Sequence, residues 1–142
     1  MIVWILILVA AAFAALSLGG SGVTGTSSKL SFADLETLAE NAGFTGAAAI
    51  VAAAIALAES SGNPTAYNPE LAAGAPQGKG SYGLWQIYLH AHPEFEGLNL
   101  YDPQTNANAA FKVYNDARGS FTPWSTFNSE AYATHIPNGF SV

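Results

Sequence analysis

The chain has 142 residues, half of them hydrophobic and 10% charged, which suits one small folded domain with an appendage and argues against disorder of its body. Its formal net charge is −6, and its four basic residues (Lys29, Lys79, Lys112, Arg118) are too scattered to form a phosphate-tracking stripe, so nucleic acid is a poor candidate partner. Cysteine is absent, which excludes disulfides, thiolate catalysis and cysteine-ligated zinc without fixing a compartment.

Residues 1–18, MIVWILILVAAAFAALSL, form an uninterrupted apolar stretch at the short end of what spans a hydrocarbon core. A secretory signal peptide is the main rival, but no Lys or Arg precedes the apolar core and that core is long for a signal. A buried core helix is a third reading. An uncleaved transmembrane anchor is the expectation, and flanking charges say little about its orientation because Lys29 is the first charged side chain. Residues 19–30 are rich in Gly and Ser and read as a flexible linker; about ten such residues reach on the order of 15–20 Å.

The body, residues 31–142, opens on Ser31-Phe-Ala-Asp34, a capping-box pattern. Phe32, Leu35, Leu38 and Ala42 then recur at helical spacing until Gly43. The alanine-rich run from Thr45 to Ser60 predicts a second helix, stopped by Ser61-Gly62-Asn63-Pro64. Its exit carries Glu59. Apolar neighbours and the negative end of the helix dipole both disfavour a charged carboxylate there, as suits an acid that must hold a proton near neutral pH. A solvated glutamate on a polar face is the bland alternative.

Residues 61–83 are dense in Gly, Pro, Asn and Ser and read as loop, and Gly83–Tyr88 reads as a brief strand or a first helical turn. His90 and His92 could share a face on a strand, but with Pro93 following and no carboxylate at ligand spacing a solvated loop is favoured. Asp102-Pro103 predicts an N-cap and first helical position, with Ala107, Ala110, Phe111 and Tyr114 on one face until Arg118-Gly119. In the tail, Phe121, Trp124, Phe127, Tyr132 and Phe140 should fold back onto the body.

Three stretches carry a resemblance. They are Ala56-Leu-Ala-Glu59-Ser60-Ser61-Gly62-Asn63-Pro64 with Asn68-Pro69, then Gly80-Ser81-Tyr82-Gly83-Leu84-Trp85-Gln86-Ile87, then Tyr101-Asp102-Pro103 through Asn106-Ala107 to Phe121-Thr-Pro-Trp124-Ser. In this order they resemble the soluble lytic transglycosylase family, whose lysozyme-like fold is related to goose-type lysozyme. The resemblance covers residues 45–127. It implies a mainly α domain of the α+β lysozyme superfamily with minimal strand content, preceded here by the transmembrane helix. It also implies cleavage of the β-1,4 bond between N-acetylmuramic acid and N-acetylglucosamine in peptidoglycan, with no metal or cofactor.

The resemblance places the catalytic acid at Glu59 and puts Ser81, Gly83 and Gln86 in the motif lining the sugar groove. Trp85 stands where many members carry methionine, and its wide ring could stack on a pyranose. Ser60, Tyr114 and Trp124 complete the expected substrate-contacting set. The family's tyrosine beside the acid has no clear counterpart, and Tyr114 and Tyr132 are both candidates. Of the other downstream carboxylates, which include Asp116, Asp102 reads as a cap and Glu94, Glu96 and Glu130 as solvated surface, while Glu70, ending the turn Asn68-Pro69-Glu70, is the one retained as a possible assistant. A single acid suffices if the substrate's N-acetyl group stabilises the cationic centre. The expected product is a 1,6-anhydro end, with ordinary hydrolysis as the alternative.

Overall fold

The computed structural model describes residues 28–140. Ser31 caps the first helix: the Asp34 N–H donates to Ser31 Oγ at 3.3 Å, and the Ser31 N–H donates to Asp34 Oδ2 at 2.9 Å. Helix α1 (Phe32–Ala42) buries Leu35 and Ala39 and ends at Gly43, where φ is 120°. A side chain there would run into the ring of Phe111, 2.6 Å from an added Cβ, so glycine serves both the turn and the packing.

Helix α2 (Ala47–Ser60) is the centre of the domain. Ala49 and every residue from Val51 to Ala56 are buried, so this helix is apolar all round rather than amphipathic. Its alanines let neighbours approach closely: α1, a second short helix near the C-terminus and the last 3-10 turn all lie against it. Ser61 ends it in a left-handed conformation, its N–H bonding the Leu57 carbonyl at 2.8 Å.

Three two-residue strands follow, β1 (Tyr67–Asn68), β2 (Ser81–Tyr82) and β3 (Ile87–Tyr88), joined as one antiparallel sheet in chain order. Asn68 pairs with Ser81 and Ser81 with Tyr88, while Tyr67, Tyr82 and Ile87 form the neighbouring row. Because side chains alternate along a strand, the two rows face opposite sides. The segment expected as a brief strand or helical turn is therefore a tight turn, residues 83–86, followed by β3.

Helix α3 (Pro103–Asp116) starts as the sequence indicates, with the Thr105 N–H donating to Asp102 Oδ2 at 2.9 Å. A four-residue helix, α4 (Ser125–Asn128), and a 3-10 turn at Ala131–His135 complete the body. Phe44 gathers the aromatic core: Phe111 meets it edge-on at 4.9 Å and Phe121 stacks on it at 5.7 Å. The tail does fold back, with Phe121 and Trp124 buried and Phe127 stacked on Tyr132. Residues 1–18, expected to be the membrane anchor, and residues 19–27 of the linker lie outside the described residues. Among the described residues, no helix is long and apolar enough to cross a membrane.

Asn106 locks the 83–86 turn onto α3. It is fully buried, and its side chain accepts from the Trp85 N–H at 2.8 Å and donates to the Tyr82 and Leu100 carbonyls at 2.9 Å each. Gly83 must be glycine here, since an added Cβ would lie 2.3 Å from the Leu100 carbonyl oxygen and φ is already 75°. Replacing Asn106 by Ala strands two buried backbone groups and one partly buried one, and the buried ones carry the larger desolvation penalty. The expected loss in unfolding free energy is about 2–4 kcal/mol, measured by urea denaturation. A change below about 0.5 kcal/mol, the range of neutral surface substitutions, would contradict this role.

Candidate active site

The open end of α2 meets the sheet and the segment leading into α4, and between them lies a cleft of about 380 Å³. Asn68, Glu70, Ser81, Gln86 and Tyr88 line one wall, Pro123, Trp124 and Ser125 the other, and Glu59 sits between. The sheet supplies its wall through register: Asn68, Ser81 and Tyr88 form one cross-strand row, so all three point to the same side. The tyrosine row, Tyr67 and Tyr82, faces away, extended by Tyr101 at 5.5 Å from Tyr82.

Glu59 is the penultimate residue of α2 and is half-buried. Thr126, on α4, donates its hydroxyl to Glu59 Oε1 at 2.7 Å. Burial pushes the Glu59 carboxyl above its ordinary value; the Thr126 hydroxyl and backbone amide oppose this, and the negative charge of Glu70 adds to it. Burial is the largest of these effects. The result is a carboxylic acid that holds its proton to higher pH than a free glutamate, inside a cleft open to solvent.

Glu70 is placed by its turn. It adopts a left-handed backbone, φ 54°, and its N–H bonds Asn68 Oδ1 at 3.2 Å. Its Oε1 accepts from Ser81 Oγ at 2.7 Å and from Asn68 Nδ2 at 3.0 Å. Gln86 is also left-handed, φ 48°, and its Nε2 donates to the Gly83 carbonyl at 2.9 Å and the Ala66 carbonyl at 3.3 Å, which closes the hairpin turn.

The sequence-expected residues divide. Glu59, Ser81, Gln86 and Trp124 come together around the cleft. Trp85 does not: it is 1% exposed, with Nε1 bonded to the Ala52 carbonyl at 2.9 Å, so its ring fills the core beneath α2 and cannot stack on a sugar. Gly83 is buried against Leu100 and Asn106 and acts on the turn's shape alone. Ser60 is buried, its hydroxyl returned to the Ala56 carbonyl at 2.8 Å. Tyr114 packs among Phe44, Phe111 and Phe121 and lines no wall of the cleft. The contact to Glu59 is made by Thr126 instead. Sequence reasoning missed Thr126, Tyr88 and Asn68; only the adjacency of Thr126 to the Pro-Trp-Ser stretch pointed to it.

Among the described residues no three His, Asp or Glu side chains converge. His92 bonds Glu94 at 3.3 Å and His90 is exposed. The chemistry within reach is proton donation by Glu59 to an oxygen of a polar ligand lying along the cleft.

No curated protein and no solved structure matches the chain significantly. The model of a protein family described as a lysozyme-like domain matches residues 36–126, a span that contains α1, α2, the sheet, α3 and the cleft as far as Thr126. With a carboxylic acid at a helix exit facing a small antiparallel sheet, the chain belongs to this lysozyme-like family of soluble lytic transglycosylase type, whose members bind and cleave peptidoglycan glycan strands.

Proposed function

We propose that the protein is a membrane-anchored peptidoglycan lytic transglycosylase that cleaves the β-1,4 bond between N-acetylmuramic acid and N-acetylglucosamine. The observation that carries this reading is Glu59: a half-buried carboxyl with its proton affinity raised, lining a polar cleft of about 380 Å³. Glu59 protonates the leaving O4 as the C1–O4 bond breaks, and positive charge grows at the anomeric carbon. The substrate's own N-acetyl oxygen stabilises that carbon. Glu59, now ionised, takes the proton of the muramic 6-hydroxyl as O6 bonds C1, which closes a 1,6-anhydro ring and restores the acid. Ser81, Gln86 and Trp124 are the wall residues in position to contact the sugars.

Residues 1–18 act in this reading as the anchor, residues 19–30 as the linker and residues 31–142 as the catalytic domain, held outside the cytoplasm by a single span. A net charge of −6 gives poor electrostatic steering toward an anionic wall, and tethering offsets this through a high effective concentration. A wall-cleaving domain tethered in this way fits a phage particle that must cross a cell wall, including one carrying its own membrane. A goose-type hydrolase, with water in place of the 6-hydroxyl, is the second reading, favoured by the presence of Glu70 in the cleft. An inactive glycan-binding or structural module is the third.

Wall clearing by the protein and by its Glu59→Gln variant separates these readings. The variant should lose about 10²–10⁴-fold in rate while keeping its fold, as measured by circular dichroism and turbidity. Equal clearing by both proteins refutes the assignment of Glu59, and clearing by neither favours the binding module. Mass analysis of the digest should find anhydro-muramic ends; reducing ends alone would identify the hydrolase.

The pH profile gives an independent check. An acid must be protonated to act, so activity should fall as pH rises through the raised Glu59 value. Thr126 stabilises the ionised form, and Thr126→Val should move that falling limb to higher pH. A limb that stays in place, or moves down, would mean that Thr126 does not set the proton affinity of Glu59.

A further inference from the structure

Nothing in the mechanism uses the far face of the sheet. Tyr67 on β1, Tyr82 on β2 and Tyr101, just ahead of α3, stand there side by side, their ring centroids 4.8 and 5.5 Å apart. We propose, resting on the glycan-cleaving reading above for the identity of the ligand, that this tyrosine row is a second glycan-binding surface. It holds the sugar rings of a wall strand outside the cleft while Glu59 acts on another.

The row is a built surface. Its middle member is fixed: Tyr82 packs against the core, and its hydroxyl donates to the Gly78 carbonyl at 2.9 Å. The outer two are open, with Tyr67 43% and Tyr101 39% exposed, and neither belongs to the core cluster. Core burial therefore does not account for them, and large exposed aromatic groups set side by side mark a contact surface. Neighbouring rings are tilted by 50° and 56°, so they are not stacked flat on one another and ring area stays open to a ligand.

Three features select a glycan. The first is ring chemistry: a pyranose has an apolar C–H face and a rim of hydroxyls, and tyrosine answers with an apolar ring and a polar tip. The second is charge. Burial, and after it the phenols of Tyr67 and Tyr101, push the Tyr82 hydroxyl above its ordinary value, so the centre of the row keeps its proton. Lys79, three residues before Tyr82, is held by Glu96, and Asp102 follows Tyr101 as a helix cap. These flanks offer nothing to an anionic phospholipid headgroup. The third is continuity with the cleft. Strands β1 and β2 present Asn68 and Ser81 to the cleft and Tyr67 and Tyr82 to the other side, so one thin ribbon carries both surfaces. Strand β1 is the edge of the sheet and both its residues are exposed. The polymer that reaches one side of this ribbon is present in many neighbouring copies and has access to the other.

Such a surface acts on retention, not on bond cleavage. The net charge of −6 steers the chain poorly toward an anionic wall. Two modest contacts on one polymer network hold it better than the cleft alone, by as much as about 10²–10⁴-fold. A purely structural tyrosine row would affect melting and leave retention untouched.

The test uses the full chain in a Glu59→Gln background, so that the wall is bound and not cut. Tyr67→Ala/Tyr101→Ala should lower co-sedimentation with insoluble peptidoglycan at least about tenfold, with the melting temperature unchanged. Unchanged retention overturns the proposal. With Glu59 intact, the double variant should clear insoluble wall more slowly. It should still cleave a soluble tetrasaccharide, too short to reach from one face to the other, at the wild-type rate. Equal loss on both substrates would mean that the substitutions act through the cleft, and would overturn the second surface. If the double variant melts early, nitration of Tyr67 and Tyr101 in the chain that retains them decides, read by mass spectrometry. Soluble glycan strands should protect both tyrosines; protection by phosphatidylglycerol vesicles alone, or by neither, overturns the assignment. Retention is read without turnover, so failure of the catalytic reading shows in clearing by Glu59→Gln and failure of the surface shows in the tyrosine variants.

Discussion

Everything at the cleft depends on how Asn106 and Trp85 seat a four-residue turn. Residues 83–86 have too few residues to form a core of their own, so their position is dictated from outside. Asn106 reaches out of α3 and satisfies one N–H and two carbonyls of the hairpin and its neighbour. Trp85 extends the connection in two directions, through Nε1 to the Ala52 carbonyl of α2 and through its own carbonyl to the indole N–H of Trp124. One chain of buried hydrogen bonds thus runs from α3 through the turn to the central helix and to the far wall. In a low-dielectric interior, an unmade bond in this chain is costly, so both walls are fixed relative to α2.

That rigidity is what allows the alanine-rich helix to end in a carboxylate. Most of α2 is surrounded by protein, and a glutamate in its middle would be an unpaired buried charge. At the penultimate position the helix reaches the cleft, where part of the residue faces solvent and Thr126 supplies one donor. Burial and the Thr126 bonds act in opposite senses on the same proton. A fully buried Glu59 would hold its proton too tightly to act as base afterwards, and a fully solvated one would lose it too readily to act as acid. The intermediate position serves both halves of an acid-then-base cycle.

Local chemistry was legible in the sequence and long-range placement was not. The Ser31/Asp34 capping box, Gly43, the helix through Glu59 and the Asp102-Pro103 start all rest on interactions within four residues, and all are present as the pattern indicates. Trp85 shows the limit. The motif around it was readable, but whether its indole faced sugar or core depended on the Ala52 carbonyl, 33 residues away. Thr126 and Glu59 are separated by 67 residues, and a threonine in a Ser-Thr-Phe-Asn segment carries no sign of its partner. Tyr114 failed for a related reason. Its helical spacing was right, yet the aromatic cluster around Phe44 claims it.

Glu70 joins these two lines. Its turn, Asn68-Pro69-Glu70, was visible as local structure, but only pairing of Asn68 with Ser81 in the sheet brings the Ser81 hydroxyl to its carboxylate. A one-residue slip of that register would turn Ser81 to the tyrosine face and release Glu70 from the cleft. The register is held on the far side of the hairpin by Ile87, buried in the core, and by the partly buried Tyr82, whose carbonyl is taken by Asn106. The same asparagine that seats the turn therefore also keeps Glu70 in the cleft that holds Glu59. Two acidic groups of one cleft, derived from different segments, share a single structural dependence.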